Sequence, residues 1–175
     1  MTLLALLGCA APDPPDPCVE PGIICTVAGT GAPGLSEDGH PLKESAIYWP
    51  SAVREHPEGL LAVCDSNSHR IRLMQPDDTF RSIVGSGVHA FSIVDQPATD
   101  TPLDFPVDFQ FLPTGEILVA ILHENAVRIV GPDGMIRAFA GSTIYGYATE
   151  STESSSPARS CRSSCGRNVT MEFLS

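Results

Sequence analysis

The sequence is poor in basic residues and has no long apolar run. Its 175 residues include 10 lysines and arginines against 21 aspartates and glutamates, and the formal net charge is -11. A nucleic acid partner requires clustered Lys and Arg to neutralise its phosphates, so this composition argues against one, and no nucleic acid partner is predicted. No stretch approaches the roughly 20 consecutive apolar residues of a transmembrane helix, so the sequence predicts no membrane-spanning segment.

The sequence also lacks the residue patterns that carry catalysis or bind metal. Its six cysteines show no zinc-binding spacing. None of its five histidines is paired at helical i, i+4 spacing, and none recurs 56 residues away, the spacing of the repeat described below. No elbow motif presents a nucleophile. The sequence therefore predicts no catalytic residue, no metal site and no cofactor.

What the chain does contain is a repeat. The segment Thr26–Gly31 returns 56 positions later as Ser82–Gly87, and a third copy begins at Ala138. Between the first two copies the register holds without a gap, as shown by the aligned pairs Trp49/Phe105, Pro50/Pro106, Pro57/Pro113, Gly59/Gly115, Arg72/Arg128 and Asp77/Asp133. A fixed period is typical of propellers and solenoids. We therefore divide residues 23–147 into unit 26–81, unit 82–137 and the start of a third unit, 138–147.

Short apolar runs between turn residues predict four strands in each unit. In the first unit they are Ser51–Arg54, Leu60–Cys64, Arg70–Met74 and Phe80–Val84, with a further strand at Ile23–Val27 before them. In the second unit they are Val107–Leu112, Glu116–Leu122, Ala126–Val130 and Met135–Ala140. Four antiparallel strands per repeat make a propeller blade. The predicted fold class is all-β, an incomplete β-propeller of two blades plus the start of a third.

The first unit resembles the NHL repeat. The resemblance rests on Thr26–Gly31, on Gly59–Ser66 and on His69–Arg72, and the Gly/Asp-rich loop Gly34–Pro41 is similar to that of long bacterial and teneurin-type NHL units. It covers residues 23–147 and is weaker in the second unit, where Ile121 and Ala126 replace Asp65 and Arg70. The resemblance implies a β-propeller that serves as a binding platform for protein, RNA or glycan. A minority of related propellers are enzymes with a metal on the axis.

Asp65, His69 and Arg70 form the most suggestive polar cluster in the sequence. They could line a binding face, because loops on a rigid scaffold often carry function. The favoured interpretation is structural, with Asp65 capping a turn and Arg70 bonding carbonyl groups of the adjacent blade. The loop residues Glu37 and Asp38, with His40, fall short of a calcium site, so a solvated loop is predicted there.

The N-terminal sequence Leu6-Leu7-Gly8-Cys9 resembles a bacterial lipoprotein signal, with Cys9 as the lipidated residue. A Pro/Asp-rich linker, residues 10–22, follows it. The residues before this motif include no Lys or Arg, which a signal sequence needs at its start, so either the start codon lies upstream or the segment is not a signal. The resemblance implies an exported lipoprotein of the outer membrane or cell surface, or a periplasmic protein, which touches the membrane only through a lipid at Cys9.

The other cysteines and the C-terminal segment give three further expectations. In an exported protein Cys18 and Cys25 could form a disulfide, whereas Cys64 is predicted to be a buried free thiol. Two units and part of a third cannot close a ring, so open blade edges could support self-association. Residues 148–175 lose the repeat and the acidic excess together, which predicts a disordered or frame-shifted tail.

These observations predict a non-enzymatic interaction module that binds a protein or glycan partner through propeller loops. The alternative is a truncated propeller enzyme of the lyase or sugar-dehydrogenase type. An axial cluster of His and acidic ligands would distinguish the enzyme, and neither unit supplies a His or carboxylate repeated at an inward strand start.

Overall fold

The computed structural model describes Cys18 and residues 21–141. Lipidation at Cys9, most of the linker 10–22, the third unit beyond residue 141 and the tail 148–175 lie outside the described residues. Within the described part of the chain, no helix is long and apolar enough to cross a membrane.

The first unit folds into a four-stranded antiparallel sheet whose strands lie in chain order. They are β1 (Pro50–Glu55), β2 (Leu61–Asp65), β3 (Arg70–Met74) and β4 (Phe80–Val84). β2 is buried after Leu61, as its continuous apolar run predicts. The short 3-10 helix Ser66–Ser68 connects β2 to β3. A second 3-10 helix, Leu42–Glu44, precedes β1.

The second unit repeats this antiparallel arrangement. Its strands are β6 (Pro106–Phe111), β7 (Ile117–Ile121), β8 (Ala126–Val130) and β9 (Met135–Gly141), and the two-residue strand β5 (Gln96–Pro97) pairs with the outer edge of β9. The two sheets confirm the predicted fold class, which is all-β with two blades of an incomplete propeller. Among the described residues, helix is limited to short 3-10 turns.

One strand predicted from the sequence is absent, and one short strand of the structure was not predicted. Ile23–Val27 forms no strand. Its equivalent 56 residues later overlaps β4, which pairs with β3, but the described chain contains no counterpart of β3 beside Ile23–Val27. The sequence also gave no sign of β5, whose pairing of Pro97 with Met135 is matched in the first unit by an isolated bridge between Pro41 and Thr79. Both units thus fasten their entry segment to their last strand.

The repeat extends to the backbone conformation. Every residue with positive φ from position 29 to position 141 has a counterpart 56 residues away that also has positive φ. The sets are Gly29/Gly85/Gly141, Gly31/Gly87, Gly39/Asp95, Trp49/Phe105, Gly59/Gly115, His69/Asn125 and Asp78/Gly134. Left-handed conformations are rare for residues other than Gly, Asn and Asp. The match therefore shows that both units follow one backbone path even where their side chains differ.

The main hydrophobic core lies between the two blades. The innermost strands β1 and β6 are neighbours, and Ser51 Oγ donates a hydrogen bond of 2.7 Å to the carbonyl oxygen of Val107. The core consists of apolar residues from both sheets and from the linker between them: Ala62, Cys64, Ile71, Leu73, Val84, Ala98, Leu103, Phe109, Val119, Ile121, Val130 and Ile136. Burying this shared face holds the blades together, since apolar area removed from water yields roughly 25 cal/mol per Å².

Candidate functional site

The loops at one end of the strands meet on a single face. These are the β2–β3 and β7–β8 turns and the segments that enter β1 and β6. In the second blade, the N–H of Leu122 donates to the carbonyl oxygen of Phe105 at 3.0 Å, and that of His123 to Asp104 at 3.3 Å. In the linker between blades, the N–H of Leu103 donates to the carbonyl oxygen of Val88 at 3.3 Å. These bonds bring His89, Asp104 and His123 together.

The three side chains share one carboxylate oxygen. His89 Nε2 and His123 Nδ1 each lie 2.8 Å from Oδ1 of Asp104. Asp104 is buried, whereas the side chains of His89 and His123 are 64% and 44% exposed. Each residue contributes one atom that could bind a metal, and the three atoms all lie within 4.8 Å of one another. The sequence predicted no metal site because no ligand set recurs at the repeat period; the structure nevertheless brings three potential ligand side chains together.

Rings extend this cluster in both directions. On one side, His69 stacks on His89, with ring centroids 4.6 Å apart and planes 5° from parallel. On the other, Phe105 stacks on His123 at 5.1 Å, and Trp49 meets Phe105 edge-on at 6.1 Å. We call these six side chains the His–aromatic row: Trp49, Phe105, His123, Asp104, His89 and His69.

His69 is the most buried histidine of the row, and its burial affects its charge state. Burial lowers its pKa below the ordinary value, and the neighbouring His89 lowers it further, while Asp104 acts in the opposite direction. Among the described residues, its Nδ1 has no hydrogen-bond partner although it is buried. The neutral imidazole is therefore the form that this position favours.

The row includes two aromatic residues in strained backbone conformations. Trp49 has φ 61° and Phe105 has φ 64°, each directly before a proline. For bulky residues such a conformation is an outlier, and it persists only where the surroundings hold it. The carbonyl oxygens of both residues accept hydrogen bonds from the following turn, from Ser66 at 3.4 Å and Leu122 at 3.0 Å. The fold thus fixes both rings at the surface.

The structure places Asp65, His69 and Arg70 in three different roles. Asp65 is fully buried and does not cap the turn after it; its Oδ1 accepts the N–H of Tyr48 at 2.8 Å, and its charge partner is Arg72 at 3.6 Å. Arg70 Nη2 donates to the carbonyl oxygen of Ser86, at the entry to the second unit, at 3.2 Å. Only His69 reaches the His–aromatic row. The three residues therefore do not form one cluster.

The acidic loop before β1 is not simply solvated, as the sequence had suggested. Asp38 accepts hydrogen bonds from the N–H and the hydroxyl of Ser82 at 2.6 and 2.9 Å, and its carboxylate lies 3.6 Å from Arg72. Glu37 lies 3.6 Å from Arg70. These carboxylates face arginines and β4, so the loop is attached to the first blade.

The described cysteines follow the expected chemistry. Cys18 and Cys25 are joined by a disulfide. Cys64 is a buried free thiol, as predicted, and burial raises its pKa. Such a thiol packs as a small apolar side chain.

Sequence reasoning missed the row because it looked for ligands that recur at the 56-residue period. The first-unit counterparts of His89, Asp104 and His123 are Pro33, Tyr48 and Asn67. The sequence nonetheless contained a clue to their proximity. Asp104 stands directly before the Phe105-Pro106 pair, and His123 lies in the β7–β8 turn, whose backbone N–H groups donate to Asp104 and Phe105. Aligning the units and asking where polar side chains depart from the repeat would have identified two of the three residues.

The architecture is that of an all-β, propeller-like chain. Comparison with known proteins identifies a similar sequence. No family model matches the chain. Among curated proteins, Teneurin-m of Drosophila melanogaster is 35% identical over 109 residues. The match covers 58% of this chain and only 4% of Teneurin-m. The similarity agrees with the teneurin-type character of the repeat and concerns a small part of that relative.

Proposed function

We propose that the chain is a non-enzymatic interaction module and that it binds a protein partner through the face bearing the His–aromatic row. The observation that carries this proposal is the exposure of Trp49 beside Tyr48, which are 64% and 41% exposed. Trp and Tyr are enriched among the residues that dominate binding energy at protein interfaces. A platform of this kind is also what the NHL resemblance implies.

Pre-organisation supports the same conclusion. Binding costs the conformational entropy of every side chain that becomes ordered. Trp49 is held by its left-handed backbone and by an edge contact with Phe105, and the main chain of Tyr48 is fixed at both ends: its N–H donates to Asp65, and its carbonyl oxygen accepts the N–H of Asn67 at 3.0 Å. The backbone that carries both rings is thus already ordered before a partner covers them.

In-cell photo-crosslinking tests this face. A photoreactive phenylalanine analogue at Tyr48 should yield a discrete protein adduct in the cells that make the protein, and Trp49→Ala should remove that adduct. The matched control is the same analogue at Phe139, a ring 58% exposed on β9 and away from the row. Equal adducts from both positions, or none from Tyr48, would contradict the proposal. A glycan array with the same dependence on Trp49 would assign the face to a sugar instead.

We further propose that the protein is exported and anchored by a lipid at Cys9, with its blade edges available for self-association. The disulfide between Cys18 and Cys25 supports export, because such bonds persist in oxidising compartments.

Changing Cys9→Ser should move the protein from the membrane fraction to the soluble envelope fraction, since the lipid is its proposed attachment. Fractionation of the two forms side by side measures this, with Cys64→Ser as the control for loss of a thiol. Identical partitioning of the wild-type and Cys9→Ser forms would refute the anchor and leave the binding face unaffected.

A further inference from the structure

We propose that His89, Asp104 and His123 form a binding site for Zn²⁺. Two imidazole nitrogens and one carboxylate oxygen are the donor set that zinc takes with three protein ligands, leaving a fourth position for water or another group. The inference goes beyond the proposed binding function and does not depend on it.

The geometry of the three residues suits a single ion. Both imidazole nitrogens point at the same oxygen of Asp104, each 2.8 Å away. In a tetrahedral zinc site with bonds of about 2.0–2.1 Å, neighbouring ligand atoms are about 3.3 Å apart. An ion entering between the three atoms therefore needs each histidine to withdraw by about half an ångström. The side chains of His89 and His123 are 64% and 44% exposed, so an ion can reach them from solvent, and a shift of this size is small enough for their stacked neighbours to accommodate.

The surroundings orient the two ligand rings. His69 stacks on the face of His89, and Phe105 stacks on the face of His123. Stacking restricts the rotation of both imidazoles, so it acts in the same direction as the supporting hydrogen bonds that orient ligating histidines, whose loss typically costs about 10–100-fold in affinity. The carboxylate of Asp104 is buried and presented by a segment that the β7–β8 turn holds through two backbone hydrogen bonds. The site is thus largely assembled before an ion binds.

The fold itself does not require these three residues. The first unit follows the same backbone path, with equivalent hydrogen bonds from Asn67 to Tyr48 and from Ser66 to Trp49, yet its counterparts of the three ligands are Pro33, Tyr48 and Asn67. A merely structural role for the cluster would leave unexplained why one unit has it and the other folds without it. A ligand site in the second unit explains the difference.

Zinc titration of the purified, chelator-treated full chain tests the proposal. By isothermal titration calorimetry we expect one Zn²⁺ bound in the micromolar range or tighter, and a rise in Tm of several degrees at saturating Zn²⁺, because a ligand that binds only the folded state stabilises it. Zn²⁺ should also shift the ring-proton NMR signals of His89 and His123. Ca²⁺ should bind far more weakly, since it prefers sites made wholly of oxygen ligands.

Three variants should each lower the zinc affinity by about 100-fold or more, because loss of a supporting contact alone costs about 10–100-fold. They are His89→Ala, Asp104→Asn, which keeps the side-chain shape, and His123→Asn, which introduces the first-unit residue. His40→Ala, at an exposed histidine away from the row, is the control and should leave affinity unchanged. Circular dichroism and urea unfolding confirm that each variant folds. Absence of zinc binding, or binding that the three variants leave unchanged, would overturn the proposal.

Discussion

Replacing Asp65 by isoleucine, the residue at the equivalent position 121, is expected to lower the free energy of unfolding by about 3–5 kcal/mol. Asp65 and Arg72 are both fully buried and lie 3.6 Å apart. Removing the carboxylate leaves the guanidinium inside the blade without its buried charge partner. Its remaining contacts are the carbonyl oxygen of Glu37 at 3.2 Å, Asp38 at 3.6 Å and the face of Phe80 at 4.5 Å. It also leaves the N–H of Tyr48 without its acceptor.

Removing both charges should have a much smaller effect. Burial is the largest influence on both groups: it raises the pKa of Asp65 and lowers the pKa of Arg72, although each charge acts on the other in the opposite direction. The attraction between the two charges therefore mainly compensates the cost of removing both from water. Replacing such a buried pair by apolar residues often changes the free energy of unfolding very little. We expect Asp65→Ile/Arg72→Met to lie within about 1–2 kcal/mol of wild type.

The second blade supplies a sharper control. There the equivalent arginine, Arg128, bonds to Glu124 at 2.8 Å and to Ser92 at 2.7 Å. Position 68 is the counterpart of Glu124, and Ser36 already matches Ser92. Asp65→Ile/Ser68→Glu should therefore rebuild this network in the first blade and recover most of the stability lost by Asp65→Ile. Urea denaturation measures all three variants. A stability of Asp65→Ile within about 1 kcal/mol of wild type would show that Arg72 does not need this partner.

Gly85→Ala is expected to destabilise the protein by about 3 kcal/mol or more. Gly85 has φ +91°, and a Cβ there would lie 2.2 Å from the carbonyl oxygen of His69 and 2.9 Å from Leu103. A left-handed alanine costs roughly 1–2 kcal/mol, and overpacking against fixed atoms adds roughly 1–3 kcal/mol. The clash also falls on the backbone of His69, so the His–aromatic row should be disturbed.

Two other glycines separate the conformational cost from the clash. Gly59 has φ +81° with open space around a Cβ, and Gly29, the first-unit counterpart of Gly85, has φ +98° with only Ile47 within 4 Å. Alanine at either position should cost roughly 1–2 kcal/mol. Urea midpoints of the three variants compare the costs directly. Equal destabilisation by Gly85→Ala and Gly59→Ala would mean that the close approach of His69 does not matter.

The blades could be predicted from the sequence because they depend on local signals that recur. Turn residues such as Gly59 and Gly115, with apolar runs between them, predict all eight main strands to within one residue at each end. The charge partners could not be predicted. Arg72 and Arg128 occupy equivalent positions, but their carboxylates come from different ones, Asp65 and Glu124.

The cluster of His89, Asp104 and His123 could not be predicted from the sequence for a related reason. His89 belongs to the linker between blades, where the two units share little sequence. Its position beside Asp104 is set by the bond from Leu103 to Val88 and by stacking on His69, which lies 20 residues earlier in the chain. Contacts of this kind depend on loop conformation, for which the repeat supplies no pattern. Asp65 and Arg70, by contrast, stood out in the sequence because they match the NHL resemblance of the first unit, and the structure places them in contacts that hold the framework together.

The matched left-handed positions make the two units interchangeable as building blocks. Since Trp49 and Phe105, and His69 and Asn125, share their backbone conformations, a segment such as 85–105 has the same length and the same end conformations as 29–49. Protein engineers could exchange such segments between blades as cassettes, moving surface chemistry from one blade to another with no change in chain length. For a lineage that duplicates its blades, the same property means that a new copy can acquire its own chemistry while the older copy keeps its original surface.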